Sequence, residues 1–149
     1  MSRNTETVER YLDGFRRHDH AQILSCLTDD IEWTVFGAFH LTGKEAYDAE
    51  IEGEGFTGPP RLEVVRMVEQ DDVVMAELTG EATRDTGEVL RMSMAEVFVM
   101  RDGLIAERRA WVIPLTENAQ SLKSDVSPVA SIRFISRTGI GKKTVHGRG

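Results

Sequence analysis

The sequence is poor in cysteine, in long apolar runs and in positive charge. Its 149 residues include one cysteine, Cys26, which excludes an internal disulfide and a cysteine-rich metal site. Cys26 falls among apolar residues of a helical pattern, the setting of a buried, inert thiol rather than a nucleophile. No apolar run approaches the ~18 residues of a membrane span. The N-terminal "MSRNTETVERY" lacks the apolar stretch of a signal peptide, and a cytoplasmic protein is expected. Lys and Arg number 18 against 25 Asp and Glu, a formal net charge of −7. From Glu117 onward six Lys/Arg meet two acids, a balance of +4, so the rest of the chain carries −11. An acidic body lacks the clustered cations that phosphate contacts need, so no nucleic-acid partner is expected.

What is present suits one domain over residues 1–116, large enough for a core and a ligand pocket. A basic, turn-rich extension over 117–149 is expected to be partly disordered. Val8, Tyr11, Leu12 and Phe15 share one face of a first helix, with Thr5 or Thr7 as its cap. Asp19 caps a second helix that buries Ile23, Leu24 and Leu27, and "TDD" ends it. "IEWTVF" alternates as a strand, with Ile31, Trp33 and Val35 on one face. "TGKE", Thr42 to Glu45, has capping-box spacing and opens a third helix to about Glu52. "EGEGFTGPP" reads as a loop. After Pro60 the period becomes two. Strands are expected near 61–69, 73–83, 88–100 and 104–114, with turns at "QDD", "RDTG" and "RDG". The fold class is α+β: a curved, mostly antiparallel sheet forming a cone closed by three N-terminal helices, with room inside for a small molecule.

The stretch "MSMAEVFVMRDGLIAERRAW", residues 92 to 111, poses the functional question. Met92, Met94, Phe98 and Met100 form an apolar row that Glu96 interrupts. "MRDGL" suits a three-residue hairpin loop with Gly103 at positive φ. That register sets Met100 opposite Leu104 and Glu96 opposite Arg108. It also sets Met94 opposite Ala110 and Met92 opposite Val112. The other face then holds Ala95, Val97, Val99, Ile105, Glu107, Arg109, Trp111 and Ile113. A two-residue loop would instead bring Glu96 to Arg109. A carboxylate beside an arginine keeps its charge to low pH, whereas one alone in an apolar wall becomes an acid at neutral pH. Glu96 is therefore either half of an ion pair or a tuned acid.

The element order, with "DDIEW", "TGKEA" and "AEVFVMRDGLIAERRAWVIPL", resembles the nuclear transport factor 2-like superfamily (a cystatin-like fold) over residues 4 to 115. Within it the chain resembles the SnoaL-like and ketosteroid-isomerase-like branch. The resemblance implies a small enzyme without metal or cofactor, an isomerase, cyclase or dehydratase acting on an apolar carbonyl compound such as a polyketide- or steroid-like molecule. It implies oxyanion donors at Tyr11 and Glu96. The isomerase base position is Val35, or at best Thr34, and the cyclase base position is Ala110, so both family bases are missing. His40, in the loop "FGAFHLTGK", is the candidate to move a proton in their place. Phe15, Trp33, Val35, Met92, Met94, Phe98, Arg108, Ala110 and Val112 are the expected ligand contacts. His18 and His20 are expected on the surface. Glu77 reads as a solvated strand residue, though parity also allows it to point inward. Two alternatives stand beside the enzyme: a non-catalytic ligand-binding protein, and a dimeric interaction module. In either case a homodimer through Val97, Val99, Trp111 and Ile113 on the convex sheet face is expected.

Overall fold

A computed structural model describes residues 2–115. Helices α1 (Arg3–Arg16) and α2 (His20–Ser25) precede strand β1 (Leu27–Val35), strand β2 (Phe39–Thr42) and helix α3 (Lys44–Glu50). Four long strands follow: β3 (Phe56–Gln70), β4 (Val73–Arg84), β5 (Val89–Arg101) and β6 (Leu104–Pro114). They make one six-stranded sheet in the order β2-β1-β6-β5-β4-β3. Only the β1–β6 pair is parallel. The sheet is curved and does not close, and the helices lie on its inner face. Tyr11 of α1 meets Phe98 of β5 edge-on at 5.6 Å, and Tyr47 of α3 stacks on Trp33 of β1 at 4.5 Å. The extension 117–149 lies outside the described residues.

Local physics revises several boundaries. Ser2, not Thr5 or Thr7, caps α1: its hydroxyl accepts from the Thr5 amide while the Thr5 hydroxyl accepts from the Ser2 amide. Asp19 caps α2 as its sequence predicts, accepting from the Gln22 amide at 3.0 Å. That helix stops at Ser25, and Leu27 and "TDD" belong to β1 instead: Leu27 pairs with Ile105 of β6, and the register shifts between Leu27 and Glu32. The expected Thr42 capping box does not form. Gly43 is the residue before α3, at φ +94°, and it offers no side-chain cap. The stretch read as a loop around His40 is strand β2, whose register on β1 pairs Thr34 with His40. β3 begins at Phe56, so half of "EGEGFTGPP" is strand. Pro59 and Pro60 are tolerated there because β3 is an edge and its register shifts between Thr57 and Arg61.

The β5–β6 hairpin also departs from expectation. Its loop has two residues, Asp102 at φ +55° and Gly103 at φ +79°, the left-handed pair that a tight hairpin turn requires. Alone, that turn would bring Glu96 opposite Arg109. A bulge follows at once: Met100 pairs with Ile105 but Val99 pairs with Glu107, which leaves Ala106 extra. Beyond it Glu96 lies opposite Ala110 and Phe98 opposite Arg108. The register is thus two residues from the expected one. An even offset keeps every side chain beyond the bulge on its expected face. Before the bulge, Ile105 changes sides and is fully buried.

Candidate functional site

The inner faces of β1, β4, β5 and β6, closed by α1, the end of α3 and the start of β3, enclose a cavity of about 510 Å³. Leu12 and Phe15 of α1, Trp33 and Val35 of β1, and Leu78 of β4 form much of its wall. Met92, Met94 and Glu96 of β5, with Arg108 and Val112 of β6, also line it. Gly80 of β4 makes room for one of these side chains: a Cβ there would stand 2.7 Å from the Met94 Cε.

Glu96 and Arg108 are the charged pair of this inner face. Glu96 is 1% exposed and the Arg108 side chain 11%. Arg108 Nε donates to Glu96 Oε1 at 3.1 Å and Nη2 to Oε2 at 2.8 Å, a two-pronged contact across the diagonal of the hairpin. Nη1 donates to the Tyr47 hydroxyl at 3.2 Å. The Tyr47 hydroxyl in turn bonds the Tyr11 hydroxyl. The guanidinium carbon lies 4.5 Å from the Trp33 ring centre and 5.5 Å from those of Tyr11 and Phe15, so aromatic faces supply further cation–π stabilisation. Burial works against the charged guanidinium. The Glu96 carboxylate and the two phenol oxygens outweigh it, and the Arg108 pKa rises well above its ordinary value. Burial raises the Tyr11 and Tyr47 phenols as well, with Arg108 opposing in both cases. Both phenols therefore stay neutral at physiological pH, as donors or acceptors.

The predicted site residues divide on these coordinates. Phe15, Trp33, Val35, Met92, Met94, Glu96, Arg108 and Val112 line the cavity. Phe98 and Ala110 share the inner face but are fully buried behind it. Tyr11 is fully buried too, its hydroxyl spent on Tyr47. His40 stands apart. It is about half exposed, with Nδ1 2.7 Å from Thr34 Oγ1 and Nε2 3.7 Å from Glu32. It is a strand residue turned away from the cavity, because Thr34, its partner on β1, alternates with the inward Trp33 and Val35. Glu77 points outward and pairs with Arg66 at 2.9 Å.

Sequence reasoning missed three groups. Tyr47 holds Arg108 from α3; its signal was the spacing of Tyr47 and Ile51 on one helix face. His18, expected on the surface, lines the cavity from the α1–α2 turn, where it takes a φ of +52°. Glu52 also lines the mouth. His20 stays on the surface but bridges two carboxylates, Asp48 at 2.6 Å and Glu52 at 3.0 Å. Those bonds raise the His20 pKa, with partial burial opposing them. Among the described residues no group of three or more His, Cys, Asp or Glu is placed to hold a metal.

A family model for the SnoaL-like domain matches residues 8–108, a span that includes Tyr47, Glu96 and Arg108. The chain belongs to the SnoaL-like domain family. Solved structures agree on its fold. One is a Mycobacterium tuberculosis LEH-like epoxide hydrolase, 18% identical, with a TM-score of 0.66 over 74% of this chain and 82% of that one. Another M. tuberculosis protein, solved with estradiol-17β-hemisuccinate, is 16% identical, with a TM-score of 0.63 over 74% of this chain and 93% of that one. A computationally designed 17-OHP binder is 15% identical, with a TM-score of 0.64 over 74% of this chain and 92% of that one. No curated protein matches this sequence. Within this SnoaL-like domain, no described helix is long and apolar enough to cross a membrane.

Proposed function

We propose that this SnoaL-like domain binds an apolar carbonyl compound, polyketide- or steroid-like in size, with the carbonyl oxygen on Arg108. The observation that carries this reading is the donor surplus beside the ion pair. A guanidinium has five N–H donors; three are engaged by Glu96 and Tyr47. The indole N–H of cavity-lining Trp33 is buried and finds no acceptor among the described residues. Buried donors of this kind call for an oxygen acceptor, and the apolar wall calls for a hydrophobic body around it. The small apolar ligands carried by structural neighbours support the same reading by analogy of fold. Titration with a steroid ketone, read through the tryptophan fluorescence and the Arg108 Nε–H resonance, tests it. A shift of that resonance is expected. Saturable binding that leaves it unmoved would place the ligand elsewhere.

A second reading, an isomerase, cyclase or dehydratase, draws on His18, an imidazole on the wall of the same cavity. Tyr11, Glu96 and His40 do not converge on one ligand position, so catalysis would run through Arg108 as the oxyanion donor and His18 as the proton carrier. Conversion of a β,γ-unsaturated ketone to its conjugated isomer, followed by ultraviolet absorbance, would be abolished by His18→Ala. Turnover unaffected by that change removes this reading.

The domain also pairs with a second copy through its outer sheet face in our reading. Trp111 and Ile113 are 38% and 57% exposed there, beside half-buried Val97 and Val99. Sedimentation across a concentration series would show the dimer, and a monomer at every concentration would end that proposal.

A further inference from the structure

The floor and the mouth of the cavity share an electrostatic character. Arg108 is the only arginine or lysine among the described residues that line the cavity, and both prongs of its contact already hold Glu96. An anionic ligand reaching Arg108 would press a second carboxylate against Glu96, which is 1% exposed and has no solvent to relieve it. Like charges that share a low-dielectric site repel strongly. At the mouth, cavity-lining Glu52 shares the His20 ring with Asp48. Two carboxylates on one imidazole leave a net negative charge even when that ring is protonated. A ligand with an acidic tail therefore meets Glu96 or Glu52, whichever end enters first. A neutral oxygen, in contrast, takes up the spare N–H groups of Arg108 without disturbing the pair.

We propose that the cavity selects its ligand by charge. It takes neutral apolar molecules bearing a carbonyl or hydroxyl oxygen, accepts a cationic tail at the mouth, and rejects carboxylic acids. This rests on the ligand-binding reading above and narrows it to a substrate class. The hemisuccinate carried by the M. tuberculosis neighbour is then a ligand that this cavity refuses by charge, whatever its shape.

Estradiol, its 17β-hemisuccinate and its 17β-amino analogue put one skeleton through all three charge states. Calorimetric titration of the full chain at neutral pH and low ionic strength compares them. The hemisuccinate is expected to bind roughly tenfold or more weakly than estradiol, and the amine at least as well as estradiol. Glu96→Gln removes the charge that balances Arg108, and hemisuccinate affinity should then rise by about tenfold while that of estradiol changes less. Should that variant fail to fold, Glu52→Gln is read instead. This change at an exposed side chain should weaken the amine and narrow the hemisuccinate deficit by roughly threefold. Equal affinities, or a wild-type preference for the hemisuccinate, overturn the charge selection while leaving the binding reading in place. Absence of heat with all three probes overturns the binding reading, and the selection with it.

Discussion

The two faces of the β5–β6 hairpin invert the usual arrangement of a sheet. The inner face, sealed by helices, buries an arginine and a glutamate. The outer face presents Trp111 and Ile113 to solvent, and farther along the same sheet Met75 of β4 and Val68 of β3 are exposed as well. Strand periodicity sorts residues into two rows but says nothing of what each row will meet. Inside, the ion pair is affordable only because its partners are complete: two carboxylate oxygens, one phenol oxygen and three aromatic rings surround the guanidinium. Outside, Phe36 stacks on Trp111 at 4.7 Å and Arg109 lies over Phe36 at 4.9 Å. Those contacts shield part of the apolar surface and leave the rest open to solvent. A buried pair of this kind adds little net stability over an apolar substitute; its value is that it fixes a cation at one point of an apolar wall.

The inner face should break hardest. Arg108→Ala strands Glu96 and should cost about 3–5 kcal/mol, measured by urea unfolding. The double change Arg108→Met with Glu96→Leu should recover most of that loss while abolishing ligand binding. A double variant as unstable as the single one would mean that the ion pair itself drives folding. Tyr47→Phe comes next, at about 1–3 kcal/mol, because it leaves an Arg108 N–H and the Tyr11 hydroxyl short of a partner. On the outer face, Trp111→Lys should cost about 0.5–1.5 kcal/mol of protomer stability through the lost Phe36 stack yet dissociate a dimer in sedimentation. A large fall in stability without a change of mass would show that Trp111 serves its own protomer.

The smallest expected effect comes from His20. Its folded pKa is raised by the bonds to Asp48 and Glu52, so the folded state holds the proton more tightly than the unfolded chain. The stabilisation is complete below the unfolded value of about 6.5 and disappears as pH rises through the folded value. Both partners are well exposed, so solvent screening keeps the effect under about 1 kcal/mol. Wild type should lose Tm relative to His20→Gln as pH rises above about 6.5. Parallel curves would mean that the bridge contributes nothing.

The fold was legible in the sequence because its strongest signals are periodic. The helical face of Val8, Tyr11, Leu12 and Phe15, the alternation after Pro60 and the turn at Asp102–Gly103 all carry the architecture. The site was legible in composition and not in pairing. Glu96 and Arg108 were expected to meet face to face, and they meet across a diagonal because two deviations, a shorter loop and an extra residue, each shift the register by one, which restores the face but not the partner. Neither leaves a periodic trace. β2 was missed because four residues are too few to show alternation, and His40 was therefore placed in a loop at the pocket rather than on the far side of an edge strand. Tyr47 and His18 were overlooked for another reason. Their roles depend on which helix end meets which strand, a long-range fact that no local window contains.

The single unpaired residue of the β5–β6 ladder, Ala106, has a consequence for what keeps this pocket in phase. It acts as a phase setter for everything downstream. Were Ala106 drawn into regular pairing instead of bulged out, the rest of β6 would turn over by one residue. Arg109, Trp111 and Ile113 would enter the cavity, and Arg108 and Val112 would leave it. A slip of one residue, with no change of sequence at all, would exchange the lining of one wall for its outer surface. In this hairpin the bulge therefore decides which residues face the cavity as much as their spacing along the strand does.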